Sequence, residues 1–376
     1  MKKRLTSLLS LLLALLVLAG CGGCTTGGDT AGTGAPASSG TTDPASPAGD
    51  GGSDETAQVL RYAVLDDPDS FDPGYTLNTF AAPVFFNCFV GLVRYNLDSE
   101  LVPGAAESWD ISEDGRTWTF HLVEGAKWSN GSPVTAEDFA FAWQRVLTPE
   151  FGSSAANTLY QYIANAEAFY NGECAWEDVG VKVLDETTLE VTLKDPCAYF
   201  PALLATWTYM PVCKEVVEAN PDWATDYENY VSNGPFKLDS YRMGEGIYLS
   251  KNENYWLADQ VKLEQIDLMI FQDLNTALNA YEAGQLDGLT SVPSTSIPTL
   301  KGRDDYYSVP MVSHTYWMFN TQDEFLSDVR VRKALCLAVD RTSLIEDVLQ
   351  SDALPASGHV PTGYIQSDGQ DFRAAG

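Results

Sequence analysis

The sequence predicts a mixed α/β fold, and three observations predict it. Apolar residues recur at two different spacings, i, i+2 and i, i+3/i+4, and the two kinds of stretch alternate along the chain. Gly and Pro punctuate the boundaries between them, and no segment repeats another. The body from residue 57 onward is rich in Trp, Tyr, Phe, Leu and Val, enough to fill two or more cores.

The elements follow in order. Trp118, Phe120 and Leu122 alternate as a strand with one covered face does. Thr135 followed by Asp138 is a capping-box variant, with Asp in place of Glu. Phe139, Trp143, Val146 and Leu147 then share one helical face before Pro149 stops the run. Leu189, Val191 and Leu193 predict a second strand, and Ile247 and Leu249 a third. Leu274, Leu278 and Tyr281 form another helical stripe that ends at Gly284, and Val331, Leu335, Ala338 and Val339 form the last. Beyond Gln350 the chain turns polar and Pro-rich, with no closing strand or helix before Gly376.

The first residues differ in kind. Lys2, Lys3 and Arg4 precede an apolar run from Leu5 to Ala19, and Leu18-Ala19-Gly20-Cys21 reads as a bacterial lipobox. The run is too short for a convincing spanning helix, which needs about 20 apolar residues. Residues 1–20 are therefore expected to be a signal peptide, with Cys21 as lipid anchor holding the rest at the outer face of a membrane, palmitate being one of the expected acyl chains. Residues 21–56 hold Gly, Thr, Ser, Ala, Pro and a few acids, a flexible tether. Its length favours a Gram-positive cell surface.

The formal charge of −30, which becomes −33 if the basic Lys2, Lys3 and Arg4 are removed, argues against nucleic acid, whose phosphates demand Lys and Arg. Five cysteines lie in the body, an odd number at wide spacings; Cys174 with Cys197 is the one pair worth testing against free thiols. His121, His314 and His359 lack a second His, Cys or carboxylate at metal-ligand spacing, so no metal is expected. The acids Asp66, Asp67, Asp69 and Asp72 are interrupted by Pro68 and do not match a calcium loop. Nucleophile-elbow and dinucleotide fingerprints are missing, and no cofactor and no catalysis are expected; a surface hydrolase is the remote alternative. The aromatic density at Tyr160, Tyr162, Phe169, Tyr170 and Trp176, and again at Trp207, Tyr209, Tyr316, Trp317 and Phe319, fits either core packing or the lining of a cleft.

Six blocks carry a resemblance. They are SFDP (70–73), FVGLVRYNLDSELVPGAAESWDISEDGRTWTFHL (89–122), GAKWSNGSPVTAEDFAFAWQRVL (125–147), VKVLDETTLEVTL (181–193), SNGPFKL with KNENYW (232–238 and 251–256) and DVRVRKALCLAVDR (328–341). Their order is similar to that of the extracytoplasmic family 5 solute-binding proteins, the oligopeptide- and dipeptide-binding lipoproteins of ABC importers. The resemblance implies a bilobed, type II periplasmic-binding-protein-like fold with the extra small domain of the peptide-binding class. Carried onto this chain, residues 57–95 and 199–319 make lobe I, 96–198 the inserted small domain, and 320–376 the start of lobe II, its third region incomplete.

It also implies function. An oligopeptide lies extended between lobes, its main chain bonded to protein main chain, and a monomeric receptor hands it to an ABC permease without bond making. By position, Leu77, Thr79, Phe80, Ala81 and Ala82 match the stretch that approaches the peptide, and Tyr160 or Tyr162 a cleft tyrosine of the insertion. Leu77 departs from the pattern, standing where a peptide receptor of the family has an acid. Family members run longer, so the resemblance further implies a C-terminally truncated chain with impaired ligand capture. The same scaffold carries nickel complexes, sugars and other solutes, which stay open as alternatives.

Overall fold

The computed structural model describes residues 58–309, 313–364 and 370–373. The signal peptide, Cys21 and the tether expected at the N-terminus lie outside the described residues. Among the described residues no helix is long and apolar enough to cross a membrane.

Two sheets organise residues 58–289. The first has strand order β11-β1-β10-β9-β8, with β1 (Val59–Val64), β8 (Phe236–Arg242), β9 (Gly246–Lys251), β10 (Gln265–Ile270) and β11 (Gly288–Leu289). Strand β1 runs parallel to β10, Val59 opposite Gln265 through Val64 opposite Ile270, and parallel to β11; the β10-β9 and β9-β8 pairs are antiparallel. Parallel neighbours need a crossover rather than a tight turn. Here the helix Leu274–Glu282 carries the chain from β10 to β11, which flank β1 on opposite sides. The second sheet is wholly antiparallel, order β4-β5-β7-β6, from β4 (Ala106–Ile111), β5 (Thr117–Leu122), β6 (Val181–Asp185) and β7 (Thr188–Thr192). Between the two in sequence lies a short hairpin, β2 (Val93–Tyr95) with β3 (Leu101–Pro103). The expected alternation holds in β5, whose Trp118, Phe120 and Leu122 are buried while their neighbours are half-buried.

Helix α1 (Ala82–Cys88) follows β1, and α2 (Ala136–Leu147) follows β5. The cap of α2 forms as the sequence predicts: the Thr135 N–H donates to Asp138 Oδ2 at 2.9 Å. Asp138 is buried and does more than cap. Its carboxylate also accepts from Trp128 Nε1 at 3.1 Å and from the Lys214 N–H at 2.9 Å, tying three segments to one side chain. Burial holds its carboxyl above the usual range, although each of those bonds pulls the other way. Phe139, Trp143, Val146 and Leu147 are buried as expected, and Trp143 Nε1 donates to the Tyr209 C=O at 3.0 Å.

One continuous apolar core joins both sheets through α1 and α2. A polar joint stitches it. Asn233 is fully buried, accepts the Val90 N–H at 2.9 Å and donates to the Val90 C=O at 2.9 Å, doing for one residue what a neighbouring strand would do. Gly234 beside it donates to Cys88 O at 2.7 Å, and a Cβ there would lie 2.5 Å from the Cys88 carbonyl carbon, so only Gly permits the approach.

All five body cysteines are free. Cys174 and Cys197 are not bonded to each other, and burial pushes the Cys88 and Cys213 thiols up, away from the reactive thiolate. The acidic run is spent on structure: Asp67 Oδ1 accepts from the Tyr241 hydroxyl and the Gly244 N–H, at 2.7 and 2.9 Å, and Asp69 from Thr76 Oγ1 at 2.8 Å.

The described residues after Leu300 contain no buried side chain. The last predicted helix is present as Val329–Ala338, capped by Asp328, which accepts from the Arg330 N–H at 2.8 Å. Its apolar stripe is only partly covered: Val331 and Val339 are half-buried, and Leu335 and Ala338 are exposed.

Candidate ligand-facing segment

The segment between β1 and α1 carries the residues expected to face a ligand, and its backbone accounting is informative. Asp72, 5% exposed, opens it. Its carboxylate accepts the Gly74 N–H at 2.9 Å and pairs with Arg145 Nη2 of α2 at 2.6 Å. The Arg145 guanidinium lies 4.4 Å over the Phe151 ring, so its other face is covered as well. Gly74 packs so close to α2 that a Cβ would meet Val146 Cγ2 at 2.9 Å.

The next groups are also committed. Ser153 Oγ donates to the Gly74 C=O at 2.6 Å and the Ser154 N–H to the Tyr75 C=O at 3.1 Å. Thr76 is buried, and its C=O accepts from Trp207 Nε1 at 2.8 Å. The Asn78 N–H donates to Thr76 Oγ1, the Phe80 N–H to Asn78 Oδ1, each at 2.9 Å. What is left over is specific. Among the described residues, the Thr76 N–H, the Leu77 N–H and C=O, the Thr79 N–H and the Phe80 C=O have no protein partner, and of these residues Leu77 and Thr79 are exposed. An anchored stretch thus offers free main-chain groups at two exposed residues, Leu77 and Thr79, as an edge strand offers them to a pairing chain.

The remaining expected residues sit differently. Phe80 and Ala82 are half-buried. Ala81 is fully buried, its N–H donating to Asn78 O and its C=O accepting from Val84 and Phe85 in the first turn of α1. Tyr160 is half-buried with its ring 5.2 Å from Tyr170, and Tyr162 packs edge-on at 6.0 Å against Tyr199, whose ring is exposed. The Tyr199 hydroxyl is pushed up to about 12, first by its hydrogen bond to Tyr162 and then by Cys197. The turn Trp207–Tyr209 is common to both groups: Trp207 holds Thr76, and the Tyr209 hydroxyl donates to the Thr158 C=O at 2.5 Å, just before Tyr160. Trp207 also packs against Phe86, which is 51% exposed, so an apolar rim borders the free main-chain groups.

Sequence reasoning missed the anchors. Arg145 sits in the most distinctive block and Asp72 in the first, and a lone cation near the apolar face of α2 was the available signal. A separate cleft of about 540 Å³, lined by Asn220, Asp226, Tyr227, Lys237 and Asp239 among others, shares no residue with this segment. No group of three His, Cys, Asp or Glu side chains converges among the described residues.

The model of bacterial extracellular solute-binding proteins, family 5 Middle, matches residues 100–374. The chain belongs to this family. Among family relatives, the oligopeptide-binding protein OppA of Bacillus subtilis (strain 168) is 40% identical over 320 residues, which are 83% of this chain and 58% of that protein. The "Probable deoxycholate-binding periplasmic protein YgiS" of Escherichia coli (strain K12) is 37% identical over 295 residues, 78% of this chain and 55% of that one. The crystal structure of a periplasmic oligopeptide-binding protein, OppAIV, from Borrelia burgdorferi superposes with a TM-score of 0.78 at 36% identity, covering 81% of this chain and 61% of that one. The chain therefore spans less than two thirds of the length of these relatives. At that identity, the likeness extends to the α/β fold of the periplasmic binding proteins.

Proposed function

We propose that the chain is a peptide-binding receptor that works outside the cytoplasmic membrane and delivers oligopeptides to an ABC import permease. One observation carries this reading: the Leu77 N–H and C=O and the Thr79 N–H are free at exposed residues of a segment anchored through Asp72, Gly74, Tyr75 and the Thr76 C=O. Main-chain groups are common to all peptides, so pairing with them gives affinity without selecting sequence. The exposed Leu77 and Phe86 add apolar contact to side chains of any kind. Binding by such pairing makes and breaks no covalent bond, and hand-over to a permease is inferred from the likeness to the oligopeptide-binding protein OppA.

The domain scheme belongs to the same proposal. Its support is that the strands of the first sheet come from residues 59–64 and 236–289, and those of the second from residues 106–192. This division suits a lobe I of 57–95 and 199–319 with 96–198 inserted, followed by the start of lobe II at 320–376. Attachment through a lipid on Cys21, a Gram-positive surface and a monomeric receptor complete the reading, supported by the lipobox and the long tether.

The soluble chain from residue 57 is equilibrated with a pool of di- to hexapeptides, alone and extended by whatever coding sequence follows Gly376, and retained molecules are identified by mass spectrometry. Retained peptides support the proposal. Leu77→Pro removes the free N–H and is expected to weaken retention about tenfold, the worth of one charge-free main-chain bond. Unchanged retention by that variant would move the site elsewhere. A second reading rests on YgiS, whose name carries deoxycholate: retention of a steroid acid and of no peptide by either form would favour it.

A further inference from the structure

Three histidines occur in the whole chain, and two of them meet. His314 Nε2 and His359 Nδ1 lie 3.1 Å apart although 45 residues separate them, and their rings cross at 82°. Tyr316 stands against both, its ring 5.0 Å from His314 and 5.3 Å from His359. In this contact one imidazole donates its N–H and the other accepts, so a single proton lies between two nitrogen lone pairs. Once that proton leaves, a divalent ion can bridge the same two nitrogens from beside the line that joins them. Imidazole nitrogens ligate first-row divalent ions at about 2.0–2.1 Å, and two such bonds to nitrogens 3.1 Å apart subtend roughly 98° at the ion. That angle lies between the square-planar and tetrahedral values, within reach of Cu²⁺ and of Zn²⁺.

We propose that His314 and His359 form a two-imidazole site for a divalent first-row transition ion. Tyr316 packs the two rings and keeps their nitrogens convergent. His359 is exposed and His314 half-buried, so water reaches the remaining coordination positions. With two protein ligands in place of the four of a structural zinc centre, the site is an exchangeable one, and it clips the stretch around residue 314 to the loop around residue 359.

The test uses the soluble chain from residue 57, stripped with chelator and titrated with Zn²⁺ by calorimetry. One ion per chain is expected, with at least a tenfold loss in His314→Gln and in His359→Gln and none in His121→Gln. Copper-loaded chain should show two coordinated imidazole nitrogens by electron paramagnetic resonance, and one in either variant. Imidazole resonances of the unaltered chain provide a readout that needs no variant: those of His314 and His359 shift on adding Zn²⁺ and that of His121 stays. No uptake at millimolar Zn²⁺, uptake unaffected by the two substitutions, or a shift confined to His121 would each overturn the proposal.

Discussion

Helix α2 and the helix Val329–Ala338 have similar amphipathic sequences, acidic caps at their starts, and opposite fates. In α2 eight of the residues are buried, and both its tryptophan and its arginine reach out to other segments. In Val329–Ala338 none is buried. Periodicity and capping suffice to write a helix, because they act within a few residues; burial needs a partner surface that the local sequence does not contain. The region up to Leu300 supplies such surfaces to itself, and the described region after it does not.

The widest gap between the two regions should appear on truncating one large side chain in each. Trp143→Ala is expected to cost about 3–5 kcal/mol, through a cavity and an orphaned Tyr209 carbonyl, whereas Leu335→Ala should stay within about 0.5 kcal/mol. Urea unfolding of both variants decides it; equal losses would mean that Val329–Ala338 is packed in solution. Arg145→Met comes next. It leaves the Asp72 carboxylate buried without its cation, a change expected to cost about 3 kcal/mol. Amide exchange should quicken from Gly74 to Phe80 in that variant, and unchanged exchange there would remove Arg145 from its anchoring role.

The smallest effect concerns pH. The Asp138 carboxyl is raised by burial, so the folded chain keeps this proton to a higher pH than the unfolded chain does. The folded state then binds more protons just above the usual carboxylate value, and the group's contribution to stability declines as pH rises through that window. Comparing unfolding of the parent with Asp138→Asn between pH 4 and 7 should show the parent losing ground relative to the variant as pH increases. A gap that instead moves in the parent's favour would mean that the hydrogen bonds to Asp138 outweigh its burial.

Much of the packed region was legible. The alternations at Trp118, Leu189 and Ile247 became β5, β7 and β9, and the Thr135–Asp138 cap formed, because each is a short-range pattern. The blocks that carry the family resemblance were legible too, but mostly as joints: Asp138 ties Trp128 to Lys214, and Asn233 with Gly234 locks Val90 and Cys88. The ligand-facing segment was legible only as a stretch. Which of its residues keep free main-chain groups depends on Ser154, Trp207 and Arg145, which lie 73 or more positions from the residues they bond, and local spacing carries no trace of them. The meeting of His314 with His359 escaped for the same reason.

The joint at Asn233 also bears on how the protein ages. Asn followed by Gly is the dipeptide whose side chain cyclises most readily onto the next backbone nitrogen, leaving aspartate or isoaspartate. Here both ends of the Asn233 amide are bonded to Val90, and the Gly234 nitrogen is held by Cys88 O at 2.7 Å. The attack therefore has to wait until the chain opens. Conversion at position 233, read by peptide mapping after long incubation, should accumulate in proportion to time spent unfolded; equal conversion in folded and denatured samples would show that the joint opens on its own. In the folded state this bond acts as a clock that is stopped.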